Sequence, residues 1–233
     1  IDYINILSVA EKDTAYAAIA KTLNNAGKKD SMRVYFLSLF KKYLYDPNSP
    51  LRSEEYYIPV LKYIISSDRS DSTDVVRAKF DLDMALKNRV GDKAANIKYT
   101  LSSGATGTLY SIKKEYTIIL FYNPGCEACA EVIAHMKRSP VLNIGLQSNL
   151  ISILAFYPDA DIKIWREHIS DIPEKWINGY DKEGVIDKKR LYDLKAIPTL
   201  YLLDKEHKVI LKDASINIIE RYLKDNNPMI FVR

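Results

Sequence analysis

The segment Phe121-Tyr-Asn-Pro-Gly-Cys126-Glu-Ala-Cys129-Ala holds both cysteines of a 233-residue chain. Two thiols separated by two residues, and carried on one helical turn, can close into a disulfide and reopen. The run before them, Thr117 to Tyr122, is apolar and β-prone, and the stretch from Glu131 to Leu142 reads as a helix, so the pair falls where a strand gives way to a helix. At that point the helix dipole and unpaired backbone N–H groups favour a thiolate on the first sulfur. Glu127, between the two cysteines, opposes this by Coulomb repulsion and thereby favours the disulfide. The chemistry implied is reversible dithiol–disulfide exchange. Cys126 is expected to attack a partner disulfide, and Cys129 to resolve the mixed disulfide.

Composition narrows the other options. Two cysteines are too few for a disulfide-stapled scaffold or a four-cysteine zinc site. His135, His168 and His207 match no common ligand spacing and read as surface or helix-face residues, so no metal and no cofactor beyond the cysteine couple is expected. Lys and Arg number 34 against 30 Asp and Glu, a net charge of +4 that gives no reason to expect a nucleic-acid partner. No apolar run approaches the ~20 residues of a membrane helix. The sequence opens on Ile1 rather than Met, so a leader is expected to have been removed.

The elements that must position the cysteines differ between two halves. Residues 1–95 read as a small all-α domain. Apolar spacing marks a helix over 14–23 ended by Gly27. A second is capped by Asp30 or Ser31 and stops before Asp46-Pro-Asn-Ser-Pro50. A third begins at Ser53-Glu-Glu and is kinked or delayed by Pro59, and a fourth runs from Asp71 toward Gly91. Residues 96–233 read as an α/β domain. Short strands flank Gly104, and central strands cover 117–122 and 151–157, joined by the helix after the cysteines as a right-handed crossover. A hairpin spans 199–211 and a closing helix lies around 216–223. The stretch Ala196-Ile197-Pro198-Thr199 stands immediately before the hairpin.

Strand, Cys-x-x-Cys helix, strand, helix, Ile-Pro-Thr hairpin and helix, in that order, resemble the thioredoxin fold, a central mixed sheet flanked by helices. Trp165-Arg-Glu-His, Trp176-Ile-Asn-Gly-Tyr-Asp181 and Tyr192-Asp-Leu-Lys-Ala-Ile-Pro-Thr further resemble the TlpA/ResA-type branch, especially secreted two-domain members with an uncharacterised helical domain ahead of the thioredoxin-like one. The resemblance implies a cis-proline at Pro198 opposite the cysteines. It implies that Ile197 offers its backbone to an extended substrate segment, with Gly125 leaving that side of Cys126 open. It also implies an extracytoplasmic thiol–disulfide oxidoreductase, periplasmic or lipid-anchored at the outer membrane through the segment preceding Ile1. Its partners would be protein thiols and disulfides and an upstream electron donor. Leu120 stands where thioredoxins carry a buried acid for proton transfer, and leucine cannot supply that step. Together with Glu127, the pattern favours a reductant. Glu131 is read as an exposed first-turn residue, and Trp165, Trp176 and Tyr192 as core packing rather than a substrate groove. A peroxiredoxin is excluded, because position 123 is Asn and lacks the threonine that reaction needs. The alternative is a binding module or redox sensor in which the helical domain recognises a partner and the second domain is a scaffold.

Overall fold

The computed structural model describes residues 2–231. The chain forms two compact units, Ile1–Leu86 and Lys87–Arg233. The break lies at 86/87, whereas the sequence placed it at 95/96. Residues 87–95 go with the second unit because their backbone bonds to its hairpin: Gly91 N–H donates to Val209 O at 2.8 Å and Ala94 N–H to His207 O at 2.9 Å.

The first unit is helical: α1 (Asp2–Val9), α2 (Lys12–Ala26), α3 (Asp30–Phe40) with a π-helical turn (Lys41–Tyr45), α4 (Glu54–Ser66) and α5 (Ser72–Ala85). Ala15, Ile19 and Leu23, spaced one helical turn apart, bury one stripe of α2. Ser53 and Asp71 cap α4 and α5, accepting from Tyr56 N at 3.2 Å and Asp74 N at 2.8 Å. Asp30 lies in the first turn of α3 instead of capping it. Pro59 sits inside α4 rather than at its start, within the consecutive buried run Tyr57–Leu61. Helix α5 stops at Ala85, short of the expected Gly91, and α1 was not foreseen.

The second unit contains β1 (Lys98–Thr100), β2 (Thr106–Thr108), β3 (Tyr116–Phe121), α6 (Glu127–Arg138), α7 (Pro140–Gln147), β4 (Ile151–Tyr157), α8 (Ile162–Glu167), β5 (Ile177–Tyr180), α9 (Val185–Lys188), β6 (Thr199–Asp204), β7 (Val209–Lys212), α10 (Ile216–Asn226) and α11 (Pro228–Phe231). Its seven strands form one mixed sheet in the order β2-β1-β5-β4-β3-β6-β7. Strands β3, β4 and β5 are parallel, and β6 runs antiparallel to β3 with Phe121 opposite Thr199. Alternation along β3 divides its side chains between two cores. Ile118, Leu120 and Tyr122 pack with Cys129, Ile133 and Met136 of α6. Ile119 and Phe121 pack on the other face with Phe156, Tyr192 and Tyr201. Both faces are covered, which is why β3 reads as an unbroken apolar run.

The single helix expected over 131–142 is two helices. Helix α6 begins directly after Cys126. Pro140 then occupies the first turn of α7, with Ser139 as its cap accepting from Leu142 N at 3.1 Å.

Candidate functional site

Strand β3 delivers the chain to Tyr122 at the sheet's end, and a turn through Pro124 and Gly125 leads into α6. Gly125 has φ +73°, a left-handed conformation that side chains other than glycine disfavour. Cys126 is the N-cap of α6, and its Sγ accepts from Cys129 N–H at 3.4 Å. Cys126 is half-buried, whereas Cys129 is 1% exposed and packs in the core beneath the helix. Burial pushes the Cys129 thiol from its ordinary 9.0 up to about 12. That net value already includes a backbone hydrogen bond at Asn123, which lowers it, and the neighbouring Cys126, which raises it. One sulfur is therefore presented to visitors, while the other is kept as a protonated thiol behind it.

Because Phe121 pairs with Thr199, the turn that carries Cys126 and the segment Ile197–Pro198 leave the same end of the sheet from adjacent strands. The Ile197–Pro198 peptide bond is cis. Ile197 and Cys126 are both partly buried against the same apolar core. Glu127 is exposed in the first turn of α6. Glu131 is exposed one turn further on.

A cleft of roughly 370 Å³ opens beside the cysteines. Its walls include Cys126, Cys129, Lys137, His168 and Asp171, but neither Ile197 nor Pro198. His168 and Asp171 come from the turn after α8 and face the cysteine loop from across the cleft. His168 Nδ1 lies 2.8 Å from Asp171 Oδ2, and a Cβ on Gly125 would stand 3.8 Å from His168 Nε2. Sequence reasoning treated His168 as a surface residue. The i,i+3 spacing of His168 and Asp171 was visible, but nothing local says that this turn crosses to the cysteines.

Beneath the loop lies a buried polar cluster. Tyr122 OH donates to Asn178 Oδ1 at 2.9 Å, and Trp165 Nε1–H is 3.1 Å from both Tyr122 OH and Asn178 Oδ1. Burial pushes the Tyr122 phenol well above its ordinary range. The hydrogen bonds it shares with Trp165 and Asn178 counter this, and the Asp171 charge adds to it. Trp165, Trp176 and Tyr192 are all buried, 6% exposed or less, so each is packing. Leu120 is fully buried on the cysteine face. Among the described residues, no group of three or more acidic, histidine or cysteine side chains could hold a metal ion, and no helix is long and apolar enough to cross a membrane.

Residues 1–88 match a family described as a domain of unknown function, DUF5106. The whole chain is similar to a thioredoxin-like protein from Bacteroides caccae. The two are 46% identical with a TM-score of 0.93, over 96% of this chain and 81% of that one. The second unit is similar to the C-terminal domain of an uncharacterized protein from Bacteroides fragilis, at 52% identity and a TM-score of 0.58, over 58% of this chain and 97% of that one. The thioredoxin domain of a thiol-disulfide oxidoreductase from Bacteroides vulgatus shares the fold, at 19% identity and a TM-score of 0.52, over 59% of this chain and 97% of that one. No curated protein matches the chain.

Proposed function

The chain belongs to the two-domain thioredoxin-like proteins whose N-terminal unit is a DUF5106 domain, and from that premise we propose that it is a thiol–disulfide oxidoreductase acting on protein disulfides, in the reducing direction. The observation that carries this reading is the asymmetry of the two sulfurs, Cys126 accessible at the helix N-cap and Cys129 buried one turn behind it. In the reaction, Cys126 attacks one sulfur of a substrate disulfide, forms a mixed disulfide and expels the other sulfur as a thiol. Cys129 then attacks Cys126, closes the Cys126–Cys129 disulfide and expels the second substrate thiol. Two electrons pass from the enzyme dithiol to the substrate. A donor dithiol restores the reduced enzyme by the same steps in reverse.

The direction is supported by the residue pattern, with Glu127 exposed in the first turn of α6 directly after Cys126 and Leu120 buried where thioredoxins carry an acid. Substrate would lie along the sheet end, with Gly125 leaving the loop open and the backbone of Ile197, ahead of Pro198, offered for main-chain pairing. The reaction needs no cofactor beyond the cysteine couple. The extracytoplasmic placement, and a lipid anchor on a segment preceding Ile1, rest on the resemblance to secreted relatives. Fractionation of the native cell tests them, and recovery in the cytosol refutes them.

In an insulin-reduction assay, Cys126→Ser is expected to fall to background, while Cys129→Ser accumulates the mixed disulfide. Turnover that survives Cys126→Ser ends this reading and leaves a scaffold whose cysteines only pack. A reduction potential near ~−270 mV marks a reductant, and one near ~−120 mV an oxidant.

A further inference from the structure

Resting on that exchange reading, we propose that His168, steered by Asp171, is the proton carrier of the reaction: Nε2 takes the proton of the Cys126 thiol as that sulfur attacks and hands it to the departing substrate sulfur. In the first step the Cys126 S–H bond breaks and a Cys126–substrate S–S bond forms. The substrate S–S bond breaks, and its leaving sulfur recovers the proton from the imidazolium. In the second step Cys129 loses its proton while attacking Cys126, and the second leaving sulfur receives it. Imidazole returns to its starting state each time, and both electrons end on the substrate.

Three observations converge on His168. Its Nδ1 is engaged by Asp171 at 2.8 Å, which places the ring proton there and leaves Nε2 as the free acceptor. A Cβ built on Gly125, the residue before Cys126, would lie 3.8 Å from Nε2, so this ring nitrogen stands beside the cysteine loop. His168, Asp171, Cys126 and Cys129 all line one cleft.

The other titratable groups facing that cleft are poorer carriers. From α6 come Glu127, an exposed carboxylate and a weak base at neutral pH, and Lys137, whose ammonium has no lone pair. From the end of β3 comes Tyr122, whose hydroxyl already donates to Asn178. At the position of the thioredoxin acid stands Leu120, fully buried, whose side chain can take no proton. Imidazole is the side chain suited to giving and taking a proton near neutral pH.

The test is the rate at which iodoacetamide alkylates Cys126 in the reduced full-length chain, followed by mass spectrometry from pH 5 to 9.5. Insulin reduction is measured over the same range. The wild type is expected to show a step in both profiles across the imidazole range. His168→Gln is expected to remove the step and slow both reactions about tenfold or more at pH 7. Asp171→Asn is expected to give a smaller loss of rate, because Nδ1–H loses the carboxylate that orients the ring. Added imidazole is expected to restore part of the rate to His168→Ala. His135→Gln, whose ring pairs with Glu220 away from the cleft, serves as the control with wild-type profiles.

A merely structural His168 would lower the rate equally at all pH values and keep the step. That result, or a His168→Gln profile equal to wild type, overturns the proposal. Alkylation does not require turnover. A wild type inert toward insulin, yet showing the His168-dependent step, therefore sinks the oxidoreductase reading while supporting the proton pairing.

Discussion

On one face of the sheet, Ile118 and Leu120 of β3, and Tyr122 just after it, lie with Cys129 of α6 and with Trp165. On the other face, Ile119 and Phe121 of the same strand meet Phe156, Tyr192 and Tyr201. The second face is an aromatic cluster in which Phe121 has ring neighbours at 5.8, 4.9 and 6.1 Å. The first face mixes the same kind of apolar packing with a hydroxyl, an amide, an indole N–H and two thiols. Both faces are equally buried, so burial alone does not mark the site. What distinguishes them is that the linked hydroxyl–amide–indole cluster and the two thiols lie on one side only, behind the turn where β3 hands the chain to α6.

The largest test of this contrast removes one aromatic from each face. Trp165→Ala and Phe156→Ala each delete a side chain with 0% exposure and are expected to cost about 3–5 kcal/mol in urea unfolding. Their effects on activity should diverge. Phe156→Ala is expected to keep its insulin-reduction rate per folded molecule, because nothing on its face touches the cleft. Trp165→Ala also strips a donor from Tyr122 and Asn178, so its rate is expected to fall as well. Equal rates in the two variants would erase the distinction between the faces.

A smaller effect concerns Cys129 as a member of the cysteine-face core. Burial holds its thiol proton from the ordinary 9.0 up to about 12. The unfolded chain thus releases this proton near pH 9 and the folded chain only near pH 12. In that window the folded state binds more protons, so stability falls as pH rises, by up to about 1.4 kcal/mol per pH unit, and is unaffected below it. Unfolding under reducing conditions between pH 8 and 10.5 is expected to show the wild type losing stability relative to Cys129→Ala above about pH 9. The difference between the two proteins cancels the tyrosines and lysines they share. Parallel curves would mean that water reaches Cys129.

The parts of this arrangement that sequence reveals are those set by local pattern. β3 and β4 are continuous apolar runs, Ser53 and Asp71 are cap residues before acidic or amphipathic turns, and the two cysteines stand at a helix start. β5 escaped, because Ile-Asn-Gly-Tyr has neither an apolar run nor clean alternation. Its strand character comes from its neighbours, β4 along its length and β1 at Tyr180. Gly179 is needed there for closeness, since a Cβ would stand 2.8 Å from Tyr99 Cβ. The domain break escaped for a similar reason: residues 87–95 carry no periodicity of their own and are tied down by hydrogen bonds to the hairpin. His168 and Asp171 reach the cysteines only through tertiary folding, which no spacing within one segment encodes.

The smallest change sharpens the contrast at the end of β3. Tyr122 and Phe121 are adjacent, both buried, and face opposite cores. Replacing Tyr122 by Phe keeps the ring and removes only the hydroxyl. Asn178 Oδ1 then retains the Trp165 indole as its single donor, and the indole loses one of its two acceptors. Asn178 Nδ2 is already buried without a hydrogen-bond partner among the described residues, so the amide has no spare bond with which to compensate. The expected loss is about 1 kcal/mol in urea unfolding, at the scale of one net hydrogen bond. A loss several times larger would show that the cluster acts cooperatively, and Trp165→Phe combined with Tyr122→Phe in a double-mutant cycle would then measure the coupling. No measurable loss would mean that the cysteine face is held by packing alone.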